Sequence, residues 1–265
     1  MMPPQLIWPG VAALGLILGS FLNVCIHRLP RRESIVQPRS CCPRCRALIR
    51  WYDNLPLLSY ALLGGRCRAC HAPISWVYPA VEAANAVAYV ALFWRYGAGV
   101  AFVLLAVLAS AVLALVVIDA RHQILPDRIT LPVLALGLLG SPWNPEVTCL
   151  QSLVGALVGA AAPAALLLLW QWSFGVEGMG WGDVKMLAMI GSFLGPARAV
   201  LTLLAGACLG AIVGVSMMAA RRGSLRTPLP FGFFLGIAAA GALWRGAGLV
   251  AWYAARLSAA WGVGS

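Results

Sequence analysis

Residues 100–119 read "VAFVLLAVLASAVLALVVID": nineteen uncharged residues, nearly all apolar, followed by a carboxylate, Asp119. As a helix, a run of this length crosses the roughly 30 Å hydrocarbon core of a bilayer. Comparable runs, several interrupted by Gly or Pro, cover residues 5–26, 76–94, 98–118, 129–143, 151–174, 184–195, 197–220 and 229–255, the fourth and sixth being short. Across the 265-residue chain 62% of residues are hydrophobic and only 10% are charged, which excludes an ordinary soluble domain. The pattern predicts an all-α polytopic membrane protein of about eight transmembrane helices.

The charged residues supply the topology. Nine of the nineteen basic residues lie between Arg28 and Arg68, and Arg121, Arg128, Lys185, Arg221, Arg222 and Arg226 fall on the same side if the spans alternate. The opposite side holds only Arg95, Arg198 and Arg256, and the remaining one, Arg245, lies within the last run. By the positive-inside rule the basic side is cytoplasmic, and both chain ends lie across the membrane. The net charge of +11 therefore reads as topology and contact with anionic membrane lipid, not as a nucleic-acid footprint. The first run ends in "NVCIHRLPRR" instead of a small-residue cleavage site, so it is expected to remain as a transmembrane helix within residues 1–27.

Residues 28–75 form the one sizeable polar segment, ahead of a multi-helix membrane domain over residues 76–265, and hold five of the eight cysteines. Cys42 and Cys45 make one Cys-x-x-Cys knuckle, Cys67 and Cys70 make another, and 21 residues separate them. Two such knuckles can turn four thiolates toward one tetrahedral zinc ion, as in a zinc ribbon. A segment this small needs such a staple. Disulfides are the competing use of the four thiols, but a cytoplasmic location disfavours them. Cys41 and His71 adjoin the knuckles as alternative ligands.

Only eight acidic residues are present. Glu33, Asp53 and Glu146 fall in loops, where a solvated charge is expected. Glu82 lies about a turn inside the second span, where a carboxylate requires a partner or a function. Asp127 follows Pro126 at the entry to the fourth span, a place for N-terminal capping or interfacial solvation. Asp119 and Asp183 sit at the cytoplasmic ends of different spans, so the folded bundle can bring them together. Two carboxyls a few ångströms apart share a proton. One member can then activate water while the other polarises a peptide carbonyl, which is aspartyl protease chemistry. Gly178, Gly180 and Gly182 precede Asp183 in "GMGWGD", either clearing room for a substrate backbone or allowing close helix packing.

Taken together, "LGSFLNVCIHRLP", "CPRC", "CRAC", "ISWVYPAVE", "IDARHQILPD", "GMGWGDVKMLAMIG" and "LPFGFFLG" resemble, in order, the motifs of the type IV prepilin peptidases. The resemblance implies a bacterial inner-membrane enzyme with its active site facing the cytoplasm. Such an enzyme cleaves the basic leader of type IV prepilins or pseudopilins, then N-methylates the new terminus with S-adenosylmethionine. It places the catalytic aspartates on Asp119 and Asp183, a supporting residue on Asp127, and the family cysteines on Cys42, Cys45, Cys67 and Cys70. Where family members often have a second proline this chain has Phe233, a departure not expected to touch the aspartates. No glycine-rich strand-turn-helix unit for S-adenosylmethionine can be read from the residues. Two other readings remain open at the sequence level: a transporter or proton pathway using intramembrane carboxylates, and a zinc-ribbon scaffold docking a secretion ATPase.

Overall fold

A computed structural model describes residues 4–37, 39–175, 180–220 and 229–261. Nine α-helices run in order among these residues: α1 (Pro4–Arg28), α2 (Leu58–Leu62), α3 (Val77–Tyr96), α4 (Val100–His122), α5 (Asp127–Gly140), α6 (Cys149–Phe174), α7 (Trp181–Leu194), α8 (Pro196–Ala219) and α9 (Phe231–Trp261). The described residues contain no strand, only two isolated antiparallel bridges in the cysteine insert. The protein is therefore an all-helical, multi-pass membrane protein. Each of the eight expected spans is a helix, but only six of these are long and apolar enough to cross a membrane. The exceptions, α5 and α7, have 14 residues each. At 1.5 Å per residue each is roughly 21 Å long, short of the hydrocarbon thickness.

The chain forms two compact units, Met1–Ala114 and Leu115–Ser265, with the boundary inside α4. In the first unit α1 packs along α3 through glycines. A Cβ on Gly15 would stand 2.6 Å from the Ala86 Cα, and one on Gly19 would stand 2.7 Å from the Glu82 Cα. Small residues at such positions let helix backbones approach where apolar burial alone gives no preference over lipid. A polar chain locks the pair: Asn85 donates to the Gly15 carbonyl at 2.8 Å, and the Ser110 hydroxyl of α4 donates to Asn85 at 2.8 Å.

In the second unit α7 is the central element, with eleven of its 14 residues buried. Gly155 and Gly159 of α6 and Gly191 of α7 leave no room for a Cβ between the two backbones. One end of this unit is closed by the Ser152 hydroxyl on the Ser192 carbonyl at 2.7 Å and by the Asn144 amide on the Phe193 carbonyl at 3.0 Å. Glu146, expected to be a solvated loop charge, is paired at this end with the buried Arg198. A charge so poorly solvated requires a counter-charge. The starts of α5, α7 and α9 and the end of α4 lie at the other end.

Candidate functional site

Asp119 occupies the last turn of α4 and is 5% exposed. Its Oδ2 accepts the backbone N–H of Phe233 at 2.9 Å, and the N–H of Gly232 also engages its carboxylate. These are among the first amides of α9, which have no intrahelical acceptor, so the carboxylate faces the positive end of that helix. Phe233 thus touches the aspartate that its departure from the family pattern was expected to leave alone. A proline there could not donate this hydrogen bond.

Asp183 is the third residue of α7 and is 7% exposed. Its carboxylate takes the backbone N–H of Gly180, the reach-back made by the acidic member of a capping box. The two carboxylates lie within electrostatic reach of one another.

Leu125, in the loop after α4, packs against the start of both other helices. A Cβ on Gly182 would fall 2.9 Å from the Leu125 Cβ, and one on Gly232 would fall 3.0 Å from its Cδ1 and 3.1 Å from the Asp119 carboxyl. Gly182 therefore makes room for Leu125. Gly180 has an ordinary φ of −84° and open space beyond Asp183, and Gly178 lies outside the described residues.

Asp127 lies in the first turn of α5 and is half exposed, as an interfacial acid at a helix start. Both its oxygens also bind the Lys185 ammonium, at 2.7 and 2.8 Å, tying the start of α5 to α7 two residues beyond Asp183. Sequence reading missed this partner. A signal was present, because Lys185 is the one lysine in a chain whose other basic residues are arginines.

In the first unit the four knuckle sulfurs lie within 4.8 Å of one another, with Cys42 and Cys70 at 3.8 Å. That separation is close to the edge of a tetrahedron of thiolates about 2.3 Å from a central metal. It is also far beyond a disulfide bond, and all the cysteines are free. The knuckles repeat one another bond for bond. Arg46 donates to the Cys42 carbonyl and His71 to the Cys67 carbonyl, each at 2.9 Å, and both donors have φ near the left-handed region, 57° and 54°. His71 is accordingly a turn residue, and the cluster that can hold a metal consists of Cys42, Cys45, Cys67 and Cys70. The backbone N–H of Cys45 favours the Cys42 thiolate and brings that thiol down to about 7, while burial and the neighbouring thiols push the Cys45 thiol up to about 11. Asp53, expected to be solvated, is clasped by Arg68 at 2.6 to 3.1 Å, and this bonding holds its carboxyl below the usual range.

Glu82 is buried in α3, and its Oε2 accepts the Leu57 backbone N–H of the insert at 2.9 Å. A backbone amide is therefore its partner, and the bond fastens the insert to the helix.

Comparison with known proteins covers both units. The Bacterial Peptidase A24 N-terminal domain matches residues 13–96, and the Type IV leader peptidase family matches residues 106–215. A prepilin leader peptidase/N-methyltransferase of Pseudomonas aeruginosa is 39% identical over 248 residues, which is 85% of this chain and 86% of that protein. One of Aeromonas hydrophila is 37% identical over 280 residues, 94% of each chain, and one of Burkholderia pseudomallei is 37% identical over 263 residues, 88% of this chain and 84% of the other. No solved structure matches. Identity at this level along most of the chain, together with both domain matches, makes the protein a member of the type IV leader peptidase family.

Proposed function

We propose that the protein is a membrane aspartyl peptidase that removes the basic leader of type IV prepilins or pseudopilins and then N-methylates the new amino terminus with S-adenosylmethionine. The observation that supports the peptidase half is that Asp119 and Asp183 are both buried at one end of the second unit, within electrostatic reach of one another, with Leu125 packed between Gly182 and Gly232 beside them. Family membership and the relatives' names support the same reading. No observation favours a transporter or a scaffold.

In this reading the ionised aspartate takes a proton from water as the water oxygen bonds to the scissile carbonyl carbon. The protonated aspartate donates to the carbonyl oxygen. Collapse of the tetrahedral species breaks the C–N bond, and the leaving nitrogen collects a proton from the dyad. Asp127 acts through Lys185 to hold the start of α7. Zinc on the four cysteines staples residues 28–75, which work as a module between the first helix (1–27) and the catalytic membrane domain (76–265). The enzyme sits in the bacterial inner membrane among anionic lipids, with the dyad toward the cytoplasm.

The test is leader cleavage by purified Asp119→Asn and Asp183→Asn proteins. Each substitution is expected to lower the rate at least about a thousandfold, because members of a catalytic group fail together. The helical circular dichroism should stay that of the parent. An Asp183→Asn protein that processes prepilin at the parent rate would refute the dyad.

A further inference from the structure

The methyl-transfer half of the proposed function, on which this inference rests, lacks an assigned site for its donor. Within the first unit a pocket of about 550 Å³ opens between α1 and the cysteine insert, a size typical of small-molecule sites. Ser20 and Phe21 of α1 form one wall, and Arg39, Trp51, Asn54 and Leu55 of the insert form the other.

The insert wall contains a strained turn. Leu58 donates its N–H to the Pro56 carbonyl at 2.6 Å, and the residue between them, Leu57, has φ 58° and ψ −47°. This is a γ-turn of the rare sense, which costs energy for a residue with a side chain. It persists because its surroundings impose it: Glu82 accepts the Leu57 N–H, and Gly19, beside Ser20 on the facing wall, packs directly against the Glu82 backbone. Glu82 thus touches both walls, through its carboxylate on one side and its backbone on the other. A strained backbone held by tertiary contacts is a mark of a site preset for a ligand.

The exposed groups describe that ligand. The Arg39 guanidinium suits a carboxylate. Trp51, 75% exposed, offers a flat face to a purine or a cation. The Asn54 amide both donates and accepts, as a base edge requires, and Phe21 and Leu55 supply apolar surface. We propose that this pocket binds S-adenosylmethionine, with Arg39 receiving its carboxylate and Trp51 its purine, and that Glu82 is the positioning residue that keeps the wall in place. The donor supplies a sulfonium methyl: the unprotonated amino terminus forms the N–C bond, the C–S pair stays on sulfur to give S-adenosylhomocysteine, and the nitrogen's surplus proton passes to water.

Equilibrium binding and photo-cross-linking of radiolabelled S-adenosylmethionine to the full chain, in neutral-lipid nanodiscs, test the assignment. Label is expected within residues 17–56. Arg39→Ala and Trp51→Ala should each raise Kd at least about tenfold, the loss of one charge-assisted bond or stacking face. Trp51→Phe, which keeps a flat ring, should stay within about threefold of the parent. Glu82→Ala should weaken binding about tenfold, and Glu82→Gln, which keeps an acceptor for Leu57, should recover it. Parental zinc content shows that a variant's insert is folded. A parent protein that neither binds the donor nor methylates a cleaved pilin peptide refutes the methyltransferase reading, and this site with it. A parent that binds while the alanine variants match it, or while label maps elsewhere, leaves that reading standing and overturns the site.

Discussion

At the scale of single residues, the environment of Asp119 is set as much by what is missing from Gly232 as by the bonds it accepts. The Cβ of an alanine at 232 would stand 3.1 Å from the Asp119 carboxyl and 3.0 Å from Leu125, in a place enclosed on both sides. The carboxylate or the start of α9 must then shift by several tenths of an ångström. Displacements on this scale in a reacting group are costly, so Gly232→Ala is expected to slow leader cleavage at least about tenfold with little change in helix content. Gly180→Ala is the matched comparison. Its Cβ would meet nothing nearer than the Asp183 Oδ2 at 3.7 Å, and its φ of −84° suits any residue. Its cleavage rate should stay within about threefold of the parent, since neither space nor backbone opposes it. A single-turnover assay on both proteins measures the contrast. Equal loss in both would mean that Asp119 does not depend on the clearance at Gly232.

Among elements, the cysteine knuckles were the most legible in sequence and the close helix contacts the least. A knuckle is local: its two sulfurs and the amides that support it fall within a few residues, so spacing alone announces it. The bonds that lock α7 to α6 and to the loop before it join Ser152 to Ser192 and Asn144 to Phe193, each across at least 40 residues, and the Glu146–Arg198 pair spans 52. No period or motif predicts which polar residue in an apolar run will find such a partner. The same locality makes the insert depend on its ligands. Between its knuckles it has one five-residue helix and a single turn of 3-10 helix, too little regular structure to stand without a staple. Removing the metal with a strong chelator, or replacing Cys42 and Cys67 with serine, is expected to release about one zinc per chain. It should also open residues 28–75 to limited proteolysis while the membrane helices stay protected. Elemental analysis and mass mapping of the cleavage sites read both effects. A reduced, freshly purified parent without metal would contradict the zinc assignment.

For the whole molecule, each of the eight apolar runs read from sequence is a helix, six of them long and apolar enough to cross a membrane, but the runs could not tell crossing length from burial. Residues 129–143 and 184–195 are apolar enough to be counted as spans, yet α5 and α7 are about 21 Å long, and α7 is wrapped by its neighbours. A helix enclosed by protein has no need to match the lipid thickness, so hydropathy alone cannot fix its ends. Alternation of all eight helices nevertheless makes a definite claim. It puts Asp119, Asp127 and Asp183 on the same side as the nine basic residues between Arg28 and Arg68, and Glu146 and Arg198 on the other. The basic side should be cytoplasmic, because short loops rich in Arg and Lys resist translocation. Alkaline phosphatase, active only outside the cytoplasm, distinguishes the sides. Fusions at Gly99, between α3 and α4, and at Asn144, between α5 and α6, should be active. Fusions at Arg50 in the insert and at Gly175 after α6 should be inactive and should instead carry a cytoplasmic reporter in its working form. Activity at Gly99 with inactivity at Asn144 would mean that α5 does not cross, which would move α6 and every later helix to the opposite orientation. The basic stretches that follow would then lie outside, against the rule that set the topology.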